Sequence, residues 1–505
     1  MELVPEVNAV VDAAVVEEGS AALRATRLGT GLKLGYASGA VVDGIVTNMV
    51  NTFLFFYVTT VCGLSAALAG TAVAAGLIVD AVGDPLIGSL SDNHRSRWGR
   101  RLPFMLAAMP VLVASFIMIF SLPDWSNKAA LFALLCALSI SVRLSLSVFN
   151  LPYLAVGAEL SDNYAERSLI MTWRWGLGMT GALIGVGCAF GIFFKGANGL
   201  AQRDAYTPFA AALSAVILGA AAWSASTVWR TRGRQHGPPV ASDHAGWSFI
   251  RELLELLRNR SFRILFFGAL LFFTSLGMTQ ALGLHTNTFF WHLSSSQAQL
   301  ITMAFLIGTL IGAPFSGLLV SRVEKKTAVL IGLCGWIVTQ VAPTSLRLLG
   351  LLPLQGQSLA LLLCGNTLVG GVLMSVGGIA FMSMMADAAD EHEYLFGSRR
   401  EGLFFAGWAF AGKTAGSIGT FLAGLLLTAI SFPVEQTKQN GLNVALPERM
   451  INELGFFYGP GTSLLLIVGV LLILRYRLDR TAHAAILAKL HQRRASAATI
   501  KGHAQ

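Results

Sequence analysis

Charged residues are scarce in this chain, at 12% of 505 residues, where a soluble globular domain carries about 25%. That shortage, beside 54% apolar residues, excludes an ordinary water-soluble domain and makes a lipid bilayer the solvent. Cysteine is scarce too. Cys62, Cys136, Cys188, Cys334 and Cys364 are scattered through or beside apolar runs without a C-x-x-C pair, which argues for packing roles and against a disulfide framework or metal site. Among nine histidines only His285 and His292 lie near an apolar run, with no Cys or Glu at ligand spacing. Neither a metal centre nor the nucleophile-and-base set of an enzyme is read here, and no cofactor is expected. The segment before Leu32 has acids at Glu2, Glu6, Asp12, Glu17 and Glu18 but no basic start followed by an apolar core. It reads as a cytosolic tail rather than a signal peptide.

What is abundant is hydrophobic sequence of spanning length. Twelve apolar runs of about 20 residues fall near 36–60, 66–90, 103–122, 129–157, 171–194, 209–229, 262–290, 297–320, 327–349, 358–386, 402–431 and 456–476. The long fourth, seventh, tenth and eleventh runs imply tilt or extension past the membrane. Basic residues concentrate in the even-numbered gaps: Arg95, Arg97, Arg100 and Arg101, then Arg167, then Arg230 through Arg263, then Arg322, Lys325 and Lys326, and finally Arg399 and Arg400. Lys and Arg are held on the cytoplasmic side, so both termini are expected there. The net charge of +9 follows from this asymmetry and the basic tail from Arg475 to Lys501, and it calls for no nucleic acid.

The longest polar interruption, from Arg230 to Arg263, divides the runs six and six and contains an amphipathic stretch from Trp247 to Leu257 that predicts a surface-lying helix. A weak repeat supports the division: Gly88-x-x-x-Asp92 followed by basic residues matches Gly317-x-x-x-Ser321-Arg322 followed by Lys325 and Lys326. The predicted organisation is a cytosolic tail over 1–31, a six-helix bundle over 32–230, a linker over 231–261, a second six-helix bundle over 262–478, and a cytosolic tail over 479–505. An all-α membrane protein with two parallel six-helix halves around a central cavity is the major facilitator arrangement.

Asp80 and Asp84 stand one turn apart within the second run. A carboxylate in hydrocarbon costs several kcal/mol unless it meets a cation, an opposite charge or water, so such residues mark an ion or proton path. At i, i+4 both face one side and can share a cation.

Four stretches together resemble the glycoside/pentoside/hexuronide:cation symporter family, to which melibiose permeases belong. They are D-A-V-G-D-P-L-I-G with R-S-R-W-G-R-R-L-P, N-L-P-Y-L-A-V-G-A-E-L-S-D-N-Y-A-E-R from Asn150, M-A-D-A-A-D-E-H-E-Y-L-F-G-S-R-R-E-G from Met385, and the tail R-Y-R-L-D-R-T-A-H-A-A-I-L-A-K-L. The resemblance implies uptake of a sugar or glycoside driven by sodium or proton entry, in the cell inner membrane, by a monomer. It implies that Asp80 and Asp84 hold the coupling cation; hard oxygens suit sodium, and burial with mutual repulsion lets the pair take a proton instead. It also implies that Arg174 and Lys413 balance those acids beside the cavity, and that Asp43, or its neighbour Gly44 one register on, faces the sugar.

Two departures bear on substrate. Asn150 and Leu154 stand where melibiose-type members carry an acid and an aromatic, so galactoside specificity is not carried over, although an amide still exchanges hydrogen bonds with hydroxyls. Tyr153, Trp173, Trp175 and Trp408 are alternative aromatic walls. Arg143, two turns before Asn150, is a charge that can pair with Asp43 or Asp80, replace the cation to give a uniporter, favour an anionic sugar such as a uronate, or lock helices together. A lysolipid in an aliphatic pocket around Leu154 and Gly378 is the rival cargo. The acids and bases Asp92, Arg97, Arg100, Arg101, Glu159 and Arg167 of the first half, with Asp387, Asp390, Arg400 and Glu401 of the second, are expected to pair across the halves when the cytoplasmic side shuts. Asp390, His392 and Glu393 are read as a solvated loop.

Overall fold

A computed structural model describes residues 28–502 except 95, 162, 197, 233–246, 398–399 and 443. The Asp92 side chain, the tail before Leu28 and most of the linker before Trp247 lie outside the described parts. Among the described residues every regular element is helical. The first segment is broken into α1 (Thr30–Ala37), α2 (Gly39–Met49) and two wider π-type turns, Val50–Leu54 and Tyr57–Val61. Ser38 sits at the first break, its hydroxyl donating to the Gly35 carbonyl at 2.8 Å and to the Ala220 carbonyl at 3.0 Å, the back-bonding that bends helices.

The other helices of the first half are α3 (Ala66–Asn93), α4 (Leu102–Ile119), α5 (Lys128–Glu159), α6 (Tyr164–Cys188) and α7 (Tyr206–Arg230). A short α8 (Trp247–Leu256) stands where the amphipathic stretch was expected. Then follow α9 (Arg260–His285), α10 (Ser295–Arg322), α11 (Lys325–Leu348), α12 (Gly356–Phe396), α13 (Glu401–Ala429), α14 (Val434–Asn440), α15 (Glu448–Phe456), α16 (Thr462–Leu474) and α17 (Arg480–Gly502). Local chemistry starts them: Asn127, Asn163 and Asn259 accept from first-turn amides of α5, α6 and α9, and Ser294 with Gln297 forms a capping box on α10.

Among the described residues ten segments, α4–α7, α9–α13 and the α15–α16 unit, are long and apolar enough to cross a membrane. The first two expected spans fall on the interrupted segment that ends at Val61 and on α3, whose apolar stretch is the shorter Ala66–Gly76. The run expected to be a solvated loop is instead the last part of α12, a 41-residue helix that ends only where Gly397 turns left-handed at φ 76°. Nothing between Gly378 and Gly397 breaks it, and His392 is buried against Phe396 and Phe404.

Helices α1–α7 pack on one another, as do α9–α16, and the two sets meet where α3 crosses α13 and α6 meets α10. Small residues permit these approaches. A Cβ on Gly424 of α13 would lie 2.4 Å from the Ala66 carbonyl oxygen, and one on Gly44 of α2 would lie 2.0 Å from that of Gly178 in α6. Because the obstacle is backbone, Gly44→Val is expected to cost more than the roughly 1–3 kcal/mol of ordinary overpacking. A large fall in melting temperature checks this, with Gly176→Val as the control, since a Cβ there meets nothing within 4 Å.

Candidate functional site

The α3–α13 crossing brings Asp80, Asp84 and Lys413 together. Lys413 Nζ donates to Asp84 Oδ2 at 2.5 Å, lies 2.8 Å from Asp80 Oδ2, and is 3.5 Å from the Ser147 hydroxyl of α5. Ser147 Oγ donates to Asp80 Oδ1. Asp80 is only 4% exposed, and Asp84 Oδ1 is buried with no hydrogen-bond partner among the described residues. Two carboxylates against one ammonium leave this cluster one negative charge over, with an oxygen to spare, which is the electrostatic condition for drawing in a cation. Ser147 is absent from the expected set. Its only signal was its place three residues before Asn150, and it is one of several serines in α5.

Arg143 is 8% exposed and donates from Nη2 to Asn51 Oδ1 at 2.8 Å. Among the described residues it forms an ion pair within 4 Å with neither Asp43 nor Asp80. The amide of Asn51 lies within reach, and hydrogen bonding a cation to a neutral acceptor ties α5 to the first segment without closing a salt bridge. In α2, Gly44 is pressed on Gly178, whereas Asp43 keeps a half-buried side chain that accepts from Thr47 Oγ1 at 3.1 Å.

Arg174 is half-buried, its Nε without a hydrogen-bond partner among the described residues, and it joins no ion pair with the Asp80–Asp84 cluster. Asn150 is half-buried on α5. The proposed aromatic walls divide. Tyr153 is fully buried, stacked 4.7 Å from Tyr36; Trp408 packs on Phe273 at 5.0 Å and Phe381 at 5.1 Å; Trp173 and Trp175 are exposed. A cavity of about 140 Å³ lies between the helix sets, on the side away from the basic gaps, and the charged residues named above do not line it. From the first segment, Asn48 and Thr52 line it.

The ion pairs at the two ends differ in kind. At the end with the basic gaps, Arg100 and Arg101 reach Glu159 at 3.2 and 2.8 Å, Lys325 reaches Asp387 at 2.7 Å, His483 reaches Asp390 at 3.0 Å, and Arg400 reaches Glu255 of α8 at 3.2 Å. Arg167 donates to the Ser161 carbonyl of its own loop, Arg97 lies over Trp98, and Glu401 opens α13. None of these contacts joins α1–α7 to α9–α16. At the opposite end Lys438 meets Asp124 at 2.7 Å and Lys128 meets Glu435 at 3.0 Å, and both join the two sets.

Membrane-length helices in two sets, with opposed charges buried where the sets cross, define a membrane transporter rather than an enzyme. The chain belongs to the MFS/sugar transport protein family, which it matches over residues 35–480. It is 26% identical to an uncharacterized symporter of Synechocystis, covering 94% of this chain and 99% of that protein. It is likewise 26% identical to the isoprimeverose transporter of Lactiplantibacillus pentosus, over 76% of each chain. The fold is similar to the crystal structure of a D-xylose-proton symporter, with a TM-score of 0.60 at 14% identity over 89% of this chain and 98% of that one. The resemblance to glycoside:cation symporters read from the motifs is thus borne out at the level of the family.

Proposed function

We propose that this chain is a twelve-span symporter of the bacterial inner membrane that couples sodium or proton entry to uptake of a sugar or glycoside by alternating access. The observation that carries it is the Asp80–Asp84–Lys413–Ser147 cluster at the α3–α13 crossing. An arriving cation binds the two carboxylates and displaces the ammonium, and a freed Lys413 on α13 changes the attraction between the helix sets. The interrupted segment before Val61 and α3 complete the twelve spans. Asp43, Asn150 and Arg174 are assigned to the sugar's path on resemblance, and Arg143 to tying α5 to the first segment.

The positive-inside rule puts the basic end in the cytoplasm. The bridges Asp124–Lys438 and Lys128–Glu435 then close the outer end, so this conformation faces inward. Arg97, Arg100, Arg101, Glu159, Arg167, Asp387, Asp390, Arg400 and Glu401, with Asp92 on resemblance alone, are assigned to exchange partners when the inner end closes. Uptake into proteoliposomes tests the reading. Isoprimeverose or xylose accumulates when an inward sodium or proton gradient is imposed and drains when it is collapsed; equilibration indifferent to both gradients would mean a uniporter.

The outer bridge has its own expected behaviour. The hydrogen bond from Lys438, aided by Arg203, holds Asp124 below the ordinary carboxylate range. A depressed carboxylate contributes fully above its unfolded pKa of about 3.9 and loses that contribution as pH falls through the lowered folded value, so the bridge weakens only below about pH 4. Exposed pairs contribute roughly 0–1 kcal/mol each, and Asp124 is 63% exposed. Asp124→Lys is therefore expected to shift the inward–outward equilibrium outward by up to about fivefold, read as faster labelling of an outer-cavity cysteine.

A further inference from the structure

The charged cluster is separate from the space large enough for a substrate. The cavity of about 140 Å³ is lined by the last turns of α2 and α9, the first turns of α10 and α12, and the far part of α11. Its polar lining includes Asn48, Thr279, Gln280, Asn287, Gln340 and Asn366, and among the described residues no Asp, Glu, Lys, Arg or His lines it. Trp336, tilted on Phe305 at 5.7 Å, and Tyr458 add aromatic surface.

Some of these amides are fixed by the fold. Asn48 Nδ2 donates to the Gly44 carbonyl at 2.8 Å, and Asn366 Nδ2 donates to the Thr339 carbonyl at 2.8 Å. Others are not spent on the fold at all. Gln340 is 9% exposed and Thr279 8%, yet Gln340 Nε2 and Thr279 Oγ1 are buried without any hydrogen bond among the described residues. Buried polar groups left without partners are uncommon in native proteins and call for an explanation. Two of them on the wall of one cavity point to a ligand that supplies the partners.

The donor set defines that ligand's class. Amides and hydroxyls both donate and accept, as sugar hydroxyls do. A wall without charge gives no counter-ion to a carboxylate, a phosphate or an ammonium, whose desolvation would go uncompensated. Aromatic faces suit the C–H face of a ring, and a concave site with a few convergent polar groups is the ordinary form of a small-molecule pocket. We propose that this cavity is the substrate site, that it takes an uncharged polyhydroxylated ring of one or two sugar units, and that the coupling cation is held apart from it at the α3–α13 crossing. The proposal rests on the sugar-symport reading and makes it specific: a neutral sugar is the cargo, a uronate is not.

The test uses the purified full-length protein and follows melting temperature with xylose, isoprimeverose, methyl glucuronide and lysophosphatidylcholine as probes, with and without sodium. Gln340→Leu removes an unpartnered amide and is expected to raise the melting temperature of the ligand-free protein. It is also expected to weaken binding of the stabilising neutral sugar tenfold or more, while leaving the sodium response unchanged. Gln280→Leu, at a half-buried position, supplies the same reading should Gln340→Leu misfold. A neutral sugar that binds wild type and both variants equally overturns the cavity assignment and leaves sugar transport standing. Stabilisation by methyl glucuronide overturns the uncharged class alone. Stabilisation by lysophosphatidylcholine and by no sugar overturns the sugar reading and this inference with it.

Discussion

Asp84→Asn is expected to abolish concentrative uptake while leaving the protein folded and able to exchange substrate down its gradient. In the wild type the cluster carries two negative charges and one positive, and Asp84 supplies both the closest contact to Lys413, at 2.5 Å, and an unpartnered oxygen. With asparagine there, Asp80 and Lys413 neutralise each other, and no surplus charge remains to draw a cation. One cation moved across a potential of about 100 mV is worth about 2.3 kcal/mol, enough for roughly 50-fold accumulation. The variant should show an accumulation ratio near unity in proteoliposomes yet still perform counterflow. Unchanged accumulation would remove the acid pair from coupling; loss of counterflow as well would make Asp84 part of the substrate path.

The parts of this arrangement visible in the sequence are those that carry a local signal. The membrane helices announce themselves by apolar runs bounded by Asn127, Asn163, Asn259 and Ser294, each of which caps a helix. Asp80, Asp84 and Lys413 stand out because charge inside hydrocarbon is costly without a role. Ser147 does not, since a serine can satisfy itself on its own helix and costs little wherever it falls. The partner of Arg143 was equally hidden: which of several polar groups a guanidinium meets depends on how two helices rotate against each other. The bridge from Asp124 to Lys438 spans 314 positions and joins a short loop to the short helix α14. The uncharged cavity draws its wall from Asn48 to Tyr458, one amide or hydroxyl per turn. No window of sequence contains enough of it to register.

Lys413→Met is expected to lower stability and, at the same time, to make the protein far more responsive to its coupling ion. Removing one partner of a fully buried ion pair costs roughly 3–5 kcal/mol. Here the Lys413 side chain is 32% exposed and that of Asp84 is 23% exposed, so a loss of about 2–3 kcal/mol is the reasonable figure once water screens part of the charge. The two carboxylates are then left facing each other without a counter-ion, the situation a cation relieves best. A cation at about 100 times its dissociation constant stabilises the folded state by about 2.7 kcal/mol, close to the amount lost. In the wild type the tethered ammonium competes for the same oxygens, so the same sodium concentration should raise its melting temperature much less. The measurement is melting temperature in sodium against choline, and across pH, for both proteins. A larger sodium response in the variant makes sodium the ion that Lys413 displaces. A larger response to acid, with none to sodium, gives that place to the proton. A variant destabilised and indifferent to both would reduce Lys413 to a strut between α3 and α13, and coupling would then have to be sought elsewhere in the bundle.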